Sequence, residues 1–445
     1  MNKNFNSNAL VYLILFSLLG SDLIFSWLYK FDFPVGLLRN LRDLFIIAIG
    51  LLSVFFYIYR SISKDYFFIP LALLSCTLIP FLFALTEFLS FSAFQSIKGA
   101  LVFVLPTGLI FSSFYICKYF KARTLYKALL YFGVASSVFS FYEIRNTDFW
   151  LEVVNLPRYL SDVKGIHWSS FEYFYNLPHN FFRDYSSTLR RGAGLITSPL
   201  AQGNLLAAAF ILNLEIGLVR KITRNIFSII LAIGVIISGT RLALIYIFAY
   251  FFIKIFINIK NTLTTNTRIK ISIKIVPFTL MPIFIIIYFF RSSYFLNLID
   301  ASSEFHLFAF FSNLNLLREM PFWGYGLGSQ SRYSDSYTQG MIGFGEGSFF
   351  SLSFQFGYLG LLAFLGFIFS FINYFLKISF YKVNYSSKES VLGIACVIGT
   401  FLMSFFNELY TSFTGFLPIA ILIGGSLESL QNIRNFSKGT NIEMN

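Results

Sequence analysis

At 445 residues, 56% of them hydrophobic and 12% charged, with a mean hydropathy of +0.69, the chain carries more apolar surface than a water-soluble fold can hide. Its formal charge of +13 comes from lysines and arginines at the ends of apolar runs and in their connections, with no basic helix, which excludes nucleic-acid binding. Runs of about 18 or more apolar residues recur throughout, the pattern of a polytopic helical membrane protein. The first run, 9–27, is followed by Leu28-Tyr29-Lys30 with no small-residue cleavage pattern, so it is retained and the N-terminus stays cytoplasmic. Asp22 within it would cost about 2.5 to 3.5 kcal/mol at a bilayer centre and is expected to face protein. Spans at 43–59, 67–85, 98–117 and 125–143 follow, then a long connection at 144–191. Further spans are predicted at 197–219, 225–239, 242–259 and 275–290, then a second long connection at 291–347, then spans at 349–376, 390–407 and 411–428. Cys76, Cys117 and Cys396 fall in or beside spans without paired or metal-like spacing and read as packing residues.

The even number of spans returns both termini to one side. Basic connections at Arg60/Lys64, Lys118/Lys121/Arg123/Lys127, Arg220/Lys221/Arg224, Lys260/Arg268/Lys270/Lys274 and Lys377/Lys382/Lys388 alternate with weakly charged ones, and the basic set belongs in the cytoplasm. Both long connections, and the turn Ser238-Gly239-Thr240-Arg241, then lie on the outer face. With no fixed-period repeat and no low-complexity linker, residues 1–445 read as one integral membrane domain.

Each long connection runs to about 50 residues, a length that is either functional or disordered, and the aromatic content of 144–191 argues for order. Short amphipathic helices on the outer membrane surface are predicted there. Trp150, Trp168, Tyr173, Tyr175 and Trp323 suit either sugar stacking or an interfacial belt. Arginines on this face run against the positive-inside tendency and call for an anion.

Two constellations carry the chemistry. The first runs from Arg190 and Arg191 through Gly192-Ala193-Gly194 to Ser198-Pro199, placing two guanidinium groups at a flexible entrance to the sixth span. Guanidinium pairs with phosphate bidentately and keeps its charge, although a lone arginine at a span end equally suits a lipid headgroup. Arg241 on its turn, Arg158 and Arg183 in the same connection, and Arg318 and Arg332 in the other could together cradle a diphosphate if they converge. The second constellation comprises Pro321-Phe322-Trp323-Gly324-Tyr325-Gly326-Leu327-Gly328, then Glu346-Gly347-Ser348, then Gly357-Tyr358-Leu359-Gly360. It lacks the Lys-Ser/Thr of a phosphate loop, so its glycines read as places of close backbone approach. The outer candidates for a general base are Glu346, Glu304, Glu172, His167, His179 and His306. Glu346 leads because it opens the tenth span, where it equally complements a helix dipole.

The order of these parts resembles the O-antigen polymerase and O-antigen ligase superfamily. The matching segments are Arg-x-x-Gly at 191–194 ahead of the Pro199 span start, Ser-x-x-Arg at 238–241, Pro-x-x-Gly-x-Gly-x-Gly at 321–328, Glu-x-Ser at 346–348 and Gly-x-x-Gly-Leu at 357–361. The resemblance implies an all-α polytopic protein of about 12 transmembrane helices, with the membrane-embedded, GT-C-like glycosyltransferase architecture. It implies a metal-independent enzyme without cofactor, acting on undecaprenyl-diphosphate-linked glycans as donor and acceptor in the bacterial inner membrane, with a chain-length regulator as protein partner. Arg191, Arg241 and Glu346 are then the catalytic candidates; Arg190, Arg158, Arg183, Arg318, Arg332 and His179 are candidates for substrate binding. Ligases of this superfamily usually carry His-Asn where this chain has Glu346-Gly347-Ser348, which favours a polymerase over transfer to lipid A core. A flippase or other transporter is the alternative from another class, and no matching pair of broken helices is legible in the two halves to support it.

Overall fold

The computed structural model describes residues 2–60, 78–80, 82–83, 93–164, 173–174, 177–178, 181–182, 190–263, 301–327, 329, 347–379, 384–407 and 412–439. The helices in chain order are α1 (Asn2–Leu19), α2 (Ser21–Tyr29), α3 (Val35–Arg60), α4 (Ala93–Phe120), α5 (Ala122–Glu143), α6 (Leu156–Asp162), α7 (Pro199–Ile216), α8 (Lys221–Ser238), α9 (Arg241–Leu263), α10 (Ala301–Leu316), α11 (Ser348–Ser379), α12 (Asn384–Met403) and α13 (Phe413–Gly439). A two-residue antiparallel ladder, Tyr173–Phe174 with Leu177–Pro178, is the one sheet among the described residues.

Among the described residues, six helical segments are long and apolar enough to cross a membrane: Ala100–Phe120, Ala122–Glu143, Pro199–Ile216, Lys221–Ser238, Ser348–Leu376 and Phe413–Asn432. The pair Ala9–Leu19 and Ser21–Tyr29, bent by 65° at Gly20, makes a seventh if counted as one span. The protein is therefore helical, multi-pass and membrane-embedded. The sequence-predicted spans at 67–85 and 275–290 fall largely or wholly outside the described residues, and helices overlap the other ten.

The chain divides into two compact units. The first comprises Met1–Ile62, Val104–Ala243 and Thr411–Asn445; the second comprises Ser63–Phe103 and Leu244–Tyr410.

In the first unit, lipid tails are as apolar as leucine, so helices associate through close packing and hydrogen bonds rather than through exclusion of water. Small residues supply the closeness: a Cβ on Gly133 would stand 2.7 Å from that of Ala209, and one on Gly424 would stand 2.5 Å from the Ile110 carbonyl oxygen. Hydroxyls supply the bonds, with Ser137 Oγ donating to the Ile230 carbonyl at 2.8 Å and Ser112 Oγ to that of Ile46 at 2.8 Å. α7 is buried nearly all round and forms the centre of this unit. On α8, Ile222, Ile226, Ile229, Ile233 and Ile236 recur at helical spacing and are exposed, which makes that stripe its lipid-facing side.

The described residues of the connection 144–191 are folded against the helices. A turn of π-helix at Phe149–Val153 and the short α6 enclose Trp150, Val154, Leu156, Tyr159, Leu160, Phe181 and Phe182 in a core shared with Val35 and Ala193. Trp150 is fully buried there, so neither role weighed for it, sugar platform or interfacial belt, applies. The short helix was expected on the membrane surface, but its apolar residues Leu156, Tyr159 and Leu160 are buried in this protein core. Polar bonds join the same region to α2: Ser26 Oγ donates to the Val154 carbonyl at 3.0 Å, and Tyr29 Oη donates to Asp162 Oδ2 at 2.9 Å.

In the second unit, α11 is broken at Gly357, whose φ of 62° and ψ of −152° suit glycine alone. The loop Pro321–Tyr325 enters the break. Tyr358 N–H donates to the Phe322 carbonyl at 3.0 Å and Tyr325 N–H donates to that of Phe354 at 2.6 Å, so backbone groups released by the break are bonded again. Two glycine-bearing segments far apart in sequence thus meet. The breaks at Gly20 and Gly357 are not legible in the sequence, because window hydropathy averages over a single glycine and does not register a bend.

Candidate functional site

The Arg190–Gly203 segment and the Ser238–Arg241 turn are neighbours in the first unit. Gly192 N–H donates to the Ile237 carbonyl at 3.0 Å, at the C-terminal end of α8. Gly239 ends that helix in the left-handed conformation, φ 60°, and a Cβ there would meet Arg191 Cγ at 3.1 Å and Nε at 3.4 Å. The aliphatic stem of Arg191 therefore lies over the turn whose last residue, Arg241, begins α9 and is exposed. The turn is seated by Thr240, whose Oγ1 donates to the Pro199 carbonyl at 2.9 Å, and by Gly203, where a Cβ would stand 2.6 Å from that of Thr240. Ser198 caps α7 by accepting from Ala201 N–H, with Pro199 in the first turn, as its missing N–H permits. The arginine that opens α9 stands at the positive end of a helix dipole, which favours an anion there.

Arg190 points elsewhere. Its Nη1 donates to the Glu143 carbonyl at 2.8 Å, the Ile144 carbonyl at 3.2 Å and Thr147 Oγ1 at 2.9 Å, and its Nη2 donates to Glu143 Oε2 at 2.9 Å. The Glu143 side chain is wholly enclosed, and it also accepts from Trp150 Nε1 at 2.7 Å and from the backbone N–H groups of Ala193 at 2.6 Å and Gly194 at 3.4 Å. A buried carboxylate survives only when its lone pairs are met by donors of this kind. Sequence reasoning missed Glu143 because it sought bases inside the connections. The available signal was a carboxylate closing a span, where the helix dipole disfavours negative charge and a partner is required. Further along the segment, Leu195 N–H donates to Ser136 Oγ at 2.8 Å, Ser136 Oγ to Gln202 Oε1 at 2.7 Å, and Gln202 Nε2 to Ser140 Oγ at 3.2 Å. Residues 190–202 are thereby fastened along α5.

Arg158 lies apart from that turn in its bonding. It ion-pairs with Asp32 at 3.1 Å and Asp162 at 3.6 Å, and its guanidinium carbon sits 5.0 Å from the Tyr29 ring centre. Arg318 is exposed on a single 3-10 turn, Leu317–Glu319, in the second unit. Arg183, Arg332, His179 and Glu346 lie outside the described residues. No protein-family model matches this chain, and no curated protein matches it significantly.

A second polar centre lies where α2, the 144–191 connection and α13 meet. Asp22 is 4% exposed, as its expected protein-facing position requires. It accepts from Lys164 Nζ at 2.8 Å, Tyr159 Oη at 3.2 Å and Thr414 Oγ1 at 3.2 Å. Burial pushes the Lys164 ammonium below the ordinary lysine range, and the Asp22 carboxylate opposes that shift. Arg42 closes the centre, ion-paired with Asp43 at 2.8 Å and stacked 3.7 Å from the Phe413 ring centre.

Proposed function

We propose that this chain is a membrane-embedded, metal-independent glycosyltransferase. On this reading it joins undecaprenyl-diphosphate-linked repeat units of an O-antigen or related surface polysaccharide on the periplasmic face of the inner membrane. The observation that carries the reading is the seating of Arg191 on the Ser238–Arg241 turn, which brings two arginine-bearing segments, 50 residues apart in sequence, to one helix N-terminus. The layout of motifs resembling the O-antigen polymerase and ligase superfamily supports it. The twelve-span topology, cytoplasmic termini and GT-C-like architecture belong to the same proposal.

In the proposed reaction, a hydroxyl of the acceptor glycan attacks the anomeric carbon of the donor. The bond from that carbon to the diphosphate oxygen breaks, the electron pair leaves with the diphosphate, and the hydroxyl proton passes to a base, for which Glu346 is the candidate. Negative charge grows on the leaving diphosphate, and fixed guanidinium groups lower the energy of that transition state without having to reorganise. Arg191 and Arg241 take this role. Arg190, with four hydrogen bonds directed to Glu143, Ile144 and Thr147, supports them from behind instead of holding substrate. Arg158, Arg183, Arg318, Arg332 and His179 stay as proposed substrate contacts. In vitro polymerisation of purified lipid-linked repeat units is the test. Arg191→Ala and Arg241→Ala are each expected to lower the rate by about 100-fold or more while the protein still inserts; unchanged polymer ladders would defeat the assignment.

The bends at Gly20 and Gly357 favour one second reading, a flippase or other transporter, because transporters build midplane sites from discontinuous helices. Proteoliposomes separate the two: translocation of a labelled lipid-linked glycan without linkage of units would favour transport, and linkage would favour the transferase. A ligase is distinguished by its acceptor, since only that enzyme would transfer the glycan to lipid A core.

A further inference from the structure

We infer that Glu143 is the positioning residue of this site: its one carboxylate holds the chain on both sides of Arg191 and so directs that guanidinium to the Ser238–Arg241 turn. This rests on the reading of Arg191 as the diphosphate ligand. Oε2 takes the side chain of residue 190, and Oε1 takes the backbone N–H groups of residues 193 and 194. Between these anchors, Arg191 N–H donates to the Phe181 carbonyl at 2.7 Å and Gly192 N–H to that of Ile237 at 3.0 Å. The segment is pinned at five consecutive residues, 190 to 194, and residue 190 bridges Phe182 in antiparallel fashion. Adjacent side chains on extended backbone point in opposite directions. With Arg190 drawn in to Glu143, Arg191 is turned out onto Gly239. The two arginines of one dipeptide thus receive different tasks, and Trp150, which donates to Oε2, fixes the orientation of the carboxylate that assigns them.

Glu143→Gln keeps the shape but has one acceptor oxygen where the carboxylate has two, so it cannot serve Arg190, Trp150 and the two backbone groups at once. Arg190→Lys keeps the charge but loses the planar fork that reaches two carbonyls, a hydroxyl and a carboxylate together. The full-length protein, purified in nanodiscs, is read in two ways. The first is the rate at which phenylglyoxal modifies Arg190, followed by peptide mass spectrometry; protection in the parent and at least several-fold faster labelling in Glu143→Gln are expected. The second is a double-mutant cycle in the polymerisation assay. Glu143→Gln is expected to lower kcat/KM for the lipid-linked donor by about 100-fold, with most of the loss in kcat, because a displacement near 1 Å is enough to cost the transition state its guanidinium. Arg190→Lys should show a smaller loss of the same kind. In an Arg191→Ala background, Glu143→Gln should add less than about twofold, since both changes remove one interaction. Unaltered labelling of Arg190, or losses that multiply independently in the cycle, would overturn the inference. If the parent protein forms no polymer, the proposed function falls and the labelling comparison alone decides whether Glu143 holds the segment.

Discussion

The Asp22–Lys164 pair shows how one residue can tie distant parts of the chain together. Asp22 lies on α2, Lys164 follows α6, and Thr414 opens α13, so a single carboxylate joins three segments by 2.8 to 3.2 Å contacts. Removing one member of such a buried pair leaves the other charged and uncompensated, at a cost of about 3 to 5 kcal/mol. Asp22→Ala is therefore expected to lower the thermal midpoint of the detergent-purified protein sharply. Asp22→Asn combined with Lys164→Met should recover much of the loss, because neither charge is then stranded. A midpoint for the double variant no higher than for Asp22→Ala would refute this account. The need for Asp22 to face protein was legible in the sequence, since the insertion cost of a carboxylate is local chemistry. Its partners were not, because Lys164 and Thr414 stand 142 and 392 positions away and only folding joins them.

Among the elements, α11 and the loop that enters it make the clearest case for cooperation across sequence. Gly357 breaks the helix, and a Cβ there would collide with the Phe322 carbonyl oxygen and the Gly324 nitrogen. Gly357→Ala should cost about 1 to 3 kcal/mol in backbone strain alone and expel the 321–325 loop. Thermal unfolding, together with faster proteolysis between Phe322 and Tyr325, would register this; a variant with parental stability would contradict the close approach. The Pro-x-x-Gly-x-Gly run and the Gly357-x-x-Gly360 segment were both visible as glycine-rich motifs. That one plugs a break made by the other was not, because a glycine's positive φ depends on what its neighbours leave room for.

Across the molecule, the first unit places the ends of α5 and α8 together with the starts of α7, α9 and α13. The links are Arg190 to Glu143, Gly192 to Ile237, Thr240 to Pro199, and Asn204 Nδ2 to the Gly415 carbonyl at 3.1 Å. All of these ends fall on the outer face in the topology read from the basic connections. Phosphatase fusions after Lys164 or Thr240 should be active and a fluorescent-protein fusion at Asn445 should glow. Phosphatase activity at Asn445 would reverse the C-terminal half of that topology.

Composition alone determined that the bilayer is this protein's solvent, because apolar runs of spanning length have no other stable environment and satisfy their own backbone in helices. The arginine-bearing segments between the spans were equally plain, as charges outside apolar runs announce themselves in one dimension. Only the tertiary structure decided which arginine does what. Arg190 and Arg191 are identical in type and adjacent in sequence, yet a buried carboxylate 47 residues upstream draws one inward and leaves the other lying across Gly239. The direction of a side chain is set by the partners that folding brings within hydrogen-bond reach, and those partners have no fixed distance along the chain.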